Sequence, residues 1–97
     1  MITGKQRSYL KSLANGIDPI FQLGKNGLTE NFIHQVDDAL NARELVKINV
    51  LKNSSEDITE VASSLSEELG AEFVQSIGRK FVLYRKSEEN QKIVLPK

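Results

Sequence analysis

Two glycines, three positions apart, flank a lysine and an asparagine in the stretch "FQLGKNGLTE", residues 21–30. Glycine lets the backbone come close to a ligand and adopt dihedral angles that other residues avoid. If a helix begins just after the second glycine, its first amide groups point outward and favour an anion. Lys25 adds a full positive charge. The pattern therefore predicts a loop that binds a sugar-phosphate backbone, formed by Gly24, Lys25, Asn26 and Gly27.

Other glycine motifs that bind phosphate fit this stretch less well. A P-loop needs a longer glycine spacing closed by Lys and Ser or Thr, and "GKNG" lacks this closure. A dinucleotide fingerprint needs three glycines, whereas this stretch has two. KH domains use the remaining arrangement of strand, Gly-x-x-Gly loop and helix to clamp single-stranded nucleic acid. An ordinary type I′ turn at Asn26-Gly27 stays the alternative, although the residues after it follow a helical pattern.

Side chains that usually carry catalysis or bind metals are scarce and scattered in this sequence. There is no cysteine, and the one histidine, His34, belongs to an amphipathic pattern in which such residues usually face solvent. Metal sites want two or three ligands at matched spacing, and no such spacing is visible. The adjacent acids point in different directions on helices, at Asp37-Asp38, Glu67-Glu68 and Glu88-Glu89. We therefore predict no enzyme, no metal site, no cofactor and no small-molecule substrate.

Charge is unevenly distributed along a chain whose formal net charge is zero, from 13 basic and 13 acidic residues. Residues 53–72 contain only acidic charges, from Glu56 to Glu72. The basic residues of two other segments, 1–27 and 79–86, are Lys5, Arg7, Lys11, Lys25, Arg79, Lys80, Arg85 and Lys86. Segregation of this kind can build one basic face on a neutral molecule, which would suit a polyanionic partner. Scattered, solvated surface charge is the alternative.

Length and composition predict one globular domain. The chain has 97 residues, of which 39% are hydrophobic and 27% are charged. These values are ordinary for a folded domain and argue against wholesale disorder. The first residues lack the apolar region of a secretory signal, and no stretch approaches the roughly 18–20 apolar residues of a membrane span. We therefore expect a soluble cytoplasmic protein that does not bind a membrane.

Three amphipathic patterns predict three helices. Thr3 and Gln6 form a capping box at the start of the first helix, and Asn15-Gly16 ends it. Thr29 is a plausible N-cap for the second helix, just after the glycine loop. Gly70 ends the third helix, which carries most of the acidic segment.

Four strands alternate with or follow these helices. Ile20–Leu23 suits a short buried strand, and "LVKINVL" alternates in a way that predicts one covered face and one wetter face. "EFVQSI" and "FVLYR" predict a hairpin with a tight turn at Gly78. The order α-β-α-β-α-β-β predicts a compact α/β (α+β) domain with a mixed four-stranded sheet on which the helices pack. We expect residues 87–97 to form a loosely held polar tail.

Four blocks of the chain resemble the CRM domain, in particular its bacterial stand-alone form, the YhbY-like proteins. The blocks are "ITGKQRSYLKSLA", "FQLGKNGLTENFI", "ALNARELVKINVL" and "IGRKFVLYR". The resemblance covers residues 1–86, which we interpret as a CRM-like RNA-binding domain, and leaves 87–97 as a C-terminal tail. Four blocks in the right order are far more specific than the glycine tetrapeptide alone.

The resemblance implies a fold similar to the C-terminal domain of translation initiation factor three, RNA binding, and association with precursors of the large ribosomal subunit. We expect a monomer that binds large-subunit ribosomal RNA or a pre-ribosomal particle and assists subunit assembly. The family's loop maps onto Gly24, Lys25, Asn26 and Gly27, and its basic surface maps onto Lys5, Arg7, Lys11, Arg79 and Arg85. Tyr84 could be a core residue or stack on a base, and we favour the core. The alternative function is a protein adaptor that docks on a ribosomal protein or assembly factor through its acidic third helix.

Overall fold

Seven helices and strands follow one another in residues 2–52 and 57–97, the part of the chain that a computed structural model describes. They are α1 (Gly4–Ala14), β1 (Phe21–Leu23), α2 (Glu30–Arg43), β2 (Leu45–Val50), α3 (Ile58–Leu69), β3 (Glu72–Ile77) and β4 (Lys80–Tyr84). The predicted order of helices and strands is confirmed. Glu56, part of the predicted acidic segment, lies outside the described residues.

Each helix begins at a side chain that accepts hydrogen bonds from the first, otherwise unpaired, backbone N–H groups. The Thr3 hydroxyl accepts from the Gln6 N–H at 3.1 Å, and the Gln6 side chain accepts from the Thr3 N–H at 2.9 Å. The Thr29 hydroxyl accepts from the Phe32 N–H at 3.1 Å. Both predicted caps are confirmed. The Asp57 carboxylate caps α3 in the same way.

The strands form one mixed sheet in the order β1-β2-β4-β3. β1 is parallel to β2, and β4 is antiparallel to both of its neighbours. The last strand in the chain therefore lies inside the sheet. The expectation of a buried strand at Ile20–Leu23 is wrong in two respects. The strand begins at Phe21, and it is only partly buried because it lies at the edge of the sheet. Ile20 is 38% exposed, and Leu23 is the buried residue of β1.

Hydrophobic residues on both faces of the sheet hold the helices in two layers. The cluster that α2 and α3 cover contains Leu23, Val36, Ala39, Leu40, Val46, Ile48, Val50, Val61, Ala62, Leu65, Ala71, Phe81 and Leu83. The cluster that α1 covers on the other face contains Leu10, Ala14, Leu45, Val74, Val82 and Tyr84. Tyr84 is 5% exposed, so its ring belongs to the core and offers no free face to a base. The acidic α3 and the basic α1 lie on opposite faces of the sheet.

Glu44, between α2 and β2, is a fully buried carboxylate that binds the C-terminal segment. It accepts hydrogen bonds from the N–H groups of Ser87 at 2.8 Å, Lys92 at 2.6 Å and Ile93 at 2.8 Å. Burial raises the pKa of this carboxyl, but the three N–H donors and the nearby Lys86 charge lower it below the ordinary value of 4.5. Its φ of 68° lies in the left-handed region that favours glycine, so these bonds hold a strained backbone.

The expectation that residues 87–97 are loosely held is wrong, because this segment returns to the domain along its length. Asn90 donates from its side chain to the Asn41 carbonyl at 3.1 Å. Ile93 and Leu95 pack against the α1 cluster, and the Gln6 side chain donates to the Pro96 carbonyl at 3.0 Å. The sequence prediction missed these contacts because they join residues that are distant in the chain.

Candidate nucleic-acid interface

The "GKNG" loop is a turn closed by one backbone hydrogen bond, from the Gly27 N–H to the Gly24 carbonyl at 3.1 Å. The φ angle of Gly27 is 67°, which most other residues adopt only with strain. Gly24 is different, because its φ is not in that region and an added Cβ would lie 3.7 Å from the Leu51 Cδ1, an ordinary contact. The backbone conformation therefore requires glycine at Gly27 and not at Gly24. Lys25 and Asn26 are exposed between them.

A groove of about 220 Å³, which we call the loop groove, lies between this turn and the first turns of α2. Its lining residues are Gln22, Leu23, Gly24, Lys25, Asn26, Gly27, Thr29, Asn31, Phe32 and Gln35. None of them is a carboxylate, and Lys25 is the cation. The acid in the first turn of α2, Glu30, lines a separate groove with His34 and Glu68. The N-terminal dipole of α2 adds positive potential beside the turn, so the loop groove is suited to an anion.

The predicted basic residues of α1 lie on its surface, and two of them share one row. Lys5 and Lys11 are exposed, and Arg7 is half-buried. Residues four positions apart are neighbours on a helix, so Arg7, Lys11 and Asn15 form a row that ends at the C-cap of α1. Lys5, two positions before Arg7, lies on a different side of the helix, near its start. The row leads toward the open part of the sheet.

The open part of the sheet lies on its α1 face, beyond the region that α1 covers. A depression of about 300 Å³ is present there, which we call the sheet patch. It is lined by Asn15, Lys47, Asn49, Gln75, Ile77, Gly78, Arg79, Lys80 and Val82. Lys47 pairs with Val82, and Lys80 pairs with both Asn49 and Ile77, so these side chains share one face. The patch contains three cations and no carboxylate.

Lys47 and Lys80 are absent from the predicted set of RNA-binding residues. The alternation of Lys47 and Asn49 with buried residues in β2 is the signal that could have found them. Lys47 and Lys80 lie close together because β2 pairs with β4, and no pattern in the sequence predicts that pairing.

The two predicted arginines lie at opposite ends of β4 and have different surroundings. Arg79 donates from Nε to the Val50 carbonyl at 2.9 Å and from Nη2 to the Leu51 carbonyl at 2.7 Å. It uses two of the five N–H donors that a guanidinium carries, so others remain for a ligand. These two bonds fix the guanidinium at the edge of the sheet patch, where the structure places it together with Lys47 and Lys80.

Arg85 makes four hydrogen bonds inside the protein from its guanidinium. Its Nη1 donates to the Asp37 carboxylate and the Leu69 carbonyl, both at 2.8 Å. Its Nη2 donates to the Asp37 carbonyl and the Asn41 side chain, both at 3.0 Å. These bonds join the end of β4 to α2 and α3, far along the strand from the sheet patch. The geometry gives Arg85 a structural role and lends its predicted RNA contact no support.

Ion pairing is rare in the described part of the chain. Within residues 2–52 and 57–97, the one ion pair joins Arg85 Nη1 and Asp37 Oδ1 at 2.8 Å. The cations of the loop groove, the α1 row and the sheet patch are therefore not neutralised by described carboxylates. Among the same residues, no three acidic, histidine or cysteine side chains are placed to hold a metal ion. No described helix is both long enough and apolar enough to cross a membrane.

Comparison with known proteins gives a consistent set of relatives. The family model of the CRS1/YhbY (CRM) domain matches residues 2–85. The chain is 48% identical over 96 residues to "Probable RNA-binding protein YqeI" of Bacillus subtilis, covering 99% of this chain and 100% of that protein. It is 41% identical over 96 residues to an "RNA-binding protein" of Haemophilus influenzae, covering 99% and 96% of the two chains. The solution structure of hypothetical protein SAV1595 from Staphylococcus aureus matches with a TM-score of 0.83 and 55% identity, covering 99% of this chain and 100% of that chain.

Proposed function

The chain belongs to the CRS1/YhbY (CRM) domain family, and from this membership we propose that it is an RNA-binding protein without catalytic activity. The observation that carries the proposal is the loop groove, in which a glycine turn, one lysine and a helix start surround a space without carboxylates. The names of the relatives, which describe RNA-binding proteins, support the same function.

The loop groove suits the backbone of a single strand for three physical reasons. The turn at Gly24 and Gly27 has no side chains at its ends, so phosphate and sugar can approach the backbone closely. Lys25 contributes a charge-assisted hydrogen bond to a phosphate oxygen, which is stronger than a neutral one. The α2 dipole adds to that attraction. The basic α1 row and Arg79 extend the positive potential beyond the groove.

The RNA that we propose as the partner is ribosomal RNA of the large subunit, bound before the subunit is complete. The support is the resemblance of the four sequence blocks to the stand-alone bacterial form of the family. The residues proposed to bind RNA all come from one chain, so a monomer suffices. We propose that the protein acts in the cytoplasm, where it would meet the assembling subunits. Sedimentation of cell lysate tests this proposal. We expect the protein in fractions with large-subunit precursors, and its confinement to the top of the gradient at low salt would contradict it.

Reversing the charge at Lys25 tests the loop directly. We expect Lys25→Glu to weaken binding to single-stranded RNA by about ten- to a hundredfold, because a contact to a charged phosphate is lost and a repulsion is added. The measurement is a titration of labelled RNA by fluorescence anisotropy. Folding should be unaffected, since Lys25 is exposed in a turn.

The matched control is Lys86→Glu, which makes the same change of charge at an exposed site just after β4, far from the loop groove. Its melting curve is recorded as well, because the Lys86 charge favours the ionised form of Glu44. A general electrostatic effect would weaken binding equally in both variants. If Lys25→Glu binds RNA as tightly as the parent while its melting curve is unchanged, "GKNG" is only a turn.

A further inference from the structure

The loop groove and the sheet patch are connected by a pair of residues on adjacent strands. Gln22 lines the loop groove, and its register partner Asn49 lines the sheet patch. Paired residues on adjacent strands direct their side chains to the same face of the sheet. A ligand that leaves the loop groove at Gln22 therefore meets Asn49 next, on the α1 face.

The sheet patch has the composition of a site for a nucleic-acid strand. Lys47, Arg79 and Lys80 provide charge, while Asn15, Asn49 and Gln75 provide amide donors and acceptors. Ile77 is 61% exposed on the same face, so it offers an apolar surface to a base or a sugar. Single-stranded RNA is bound by such combinations of backbone charge and exposed contact surface.

We propose that the sheet patch is a second binding segment for the RNA strand held by the loop groove. The RNA strand crosses the edge strand β1 at Gln22 and then β2 at Asn49, and Lys47, Lys80 and Arg79 bind its phosphates. It then leaves past Asn15 toward Lys11 and Arg7. This inference rests on the proposed function, and it adds Lys47 and Lys80 as RNA ligands and a direction for the strand.

The test compares oligouridylates of four and ten nucleotides, the shorter sized for the loop groove and the longer for both segments. The variant carries Lys47→Gln and Lys80→Gln, which remove two charges and keep most of each side chain. We expect it to bind the longer RNA roughly fivefold more weakly for each lysine and the shorter RNA as the parent does. The slope of log affinity against log salt for the longer RNA should become shallower by about 0.7 for each lysine.

Three comparisons make the outcomes separable. Lys86→Gln is the control for the loss of one exposed charge. The single variant Lys80→Gln, to which it is matched, replaces the double variant if the half-buried Lys47 proves necessary for folding. If the patch variant binds the longer RNA like the control while Lys25→Glu weakens both lengths, the second segment is wrong and the proposed function stands. If the parent binds neither RNA, the proposed function fails and this inference fails with it.

Discussion

Gly24 and Gly27 bound the same turn, yet the structure gives them different reasons to be glycine. At Gly27 the positive φ accounts for the residue, whereas at Gly24 neither φ nor crowding does. We account for Gly24 by the proposed close approach of a ligand to the backbone. The two positions therefore separate stability from RNA binding.

We predict that Gly27→Ala lowers stability and that Gly24→Ala does not. The left-handed conformation costs an alanine about 1–2 kcal/mol, so the melting temperature of Gly27→Ala should fall by several degrees. Gly24→Ala should melt like the parent but bind RNA more weakly. Thermal unfolding and RNA titration on the same samples measure both effects. Unchanged RNA binding by Gly24→Ala would show that the backbone at this position is not approached by RNA.

Glu44 makes stability depend on pH in a defined direction. Its pKa is lower in the folded protein than the ordinary value of 4.5, so the stability it contributes is present above that pH. That contribution is lost as pH falls through the folded pKa. At pH 7 we expect Glu44→Gln to be less stable than the parent by about 2 kcal/mol, because an amide replaces a charged acceptor of three N–H groups.

Urea unfolding at a series of pH values measures this difference. The gap between the parent and Glu44→Gln should narrow as pH falls below 4.5, where the parent carboxyl becomes protonated. Glu68→Gln, at an exposed position of α3, is the control and should show no such gap. A gap that stays constant down to the acid limit would mean that the three hydrogen bonds do not depend on the charge.

At the scale of elements, the features that the sequence predicts well are those set by neighbouring residues. The capping box of Thr3 and Gln6 spans three positions, and helical and strand periodicities repeat within each element. The order of strands in the sheet is not set by neighbouring residues, because β4 pairs with β2 only when residues far apart in the chain meet. The turn at Gly24 and Gly27 was predictable for the same local reason, and the juxtaposition of Lys47 and Lys80 on one face of β2 and β4 was not. Glu44 escapes prediction since its partners lie 43 to 49 positions away.

The C-terminal segment behaves as an eighth element, and two adjacent residues test this description. Leu95 packs against the α1 cluster, whereas its neighbour Val94 is 76% exposed. We expect Leu95→Ala to lower the free energy of unfolding by about 1–2 kcal/mol, as befits a half-buried leucine. Val94→Ala should change it little. Equal effects in denaturant titrations would mean that the segment is not docked in solution.

At the scale of the molecule, a net charge of zero conceals two faces of opposite sign. The α1 face carries the basic row and the sheet patch, and α3 on the other face carries Glu60, Glu67 and Glu68. The acidic face repels RNA while the basic face attracts it, so the orientation in which the protein binds RNA is restricted. The neutral total also limits nonspecific attraction, so binding depends on the local cations.

This arrangement predicts salt-sensitive binding in spite of the neutral charge. Each phosphate contact to single-stranded RNA contributes about −0.7 to the slope of log affinity against log salt. Titrations from low to physiological salt measure the slope and so count the contacts. An affinity that does not change with salt would contradict phosphate binding by the loop groove and by the sheet patch alike.

The inner position of β4 also has a consequence for synthesis of the protein. β2 and β3 have no common partner until residues 80–84 are made, and Phe81 and Leu83 complete the cluster under α2 and α3. Pairing of residue 45 with residue 84 closes a long loop, which is slow compared with local structure. We therefore expect the growing chain to leave the apolar faces of α2 and α3 incompletely covered until β4 is made, and to reach its stable fold as a unit once that strand has left the ribosome.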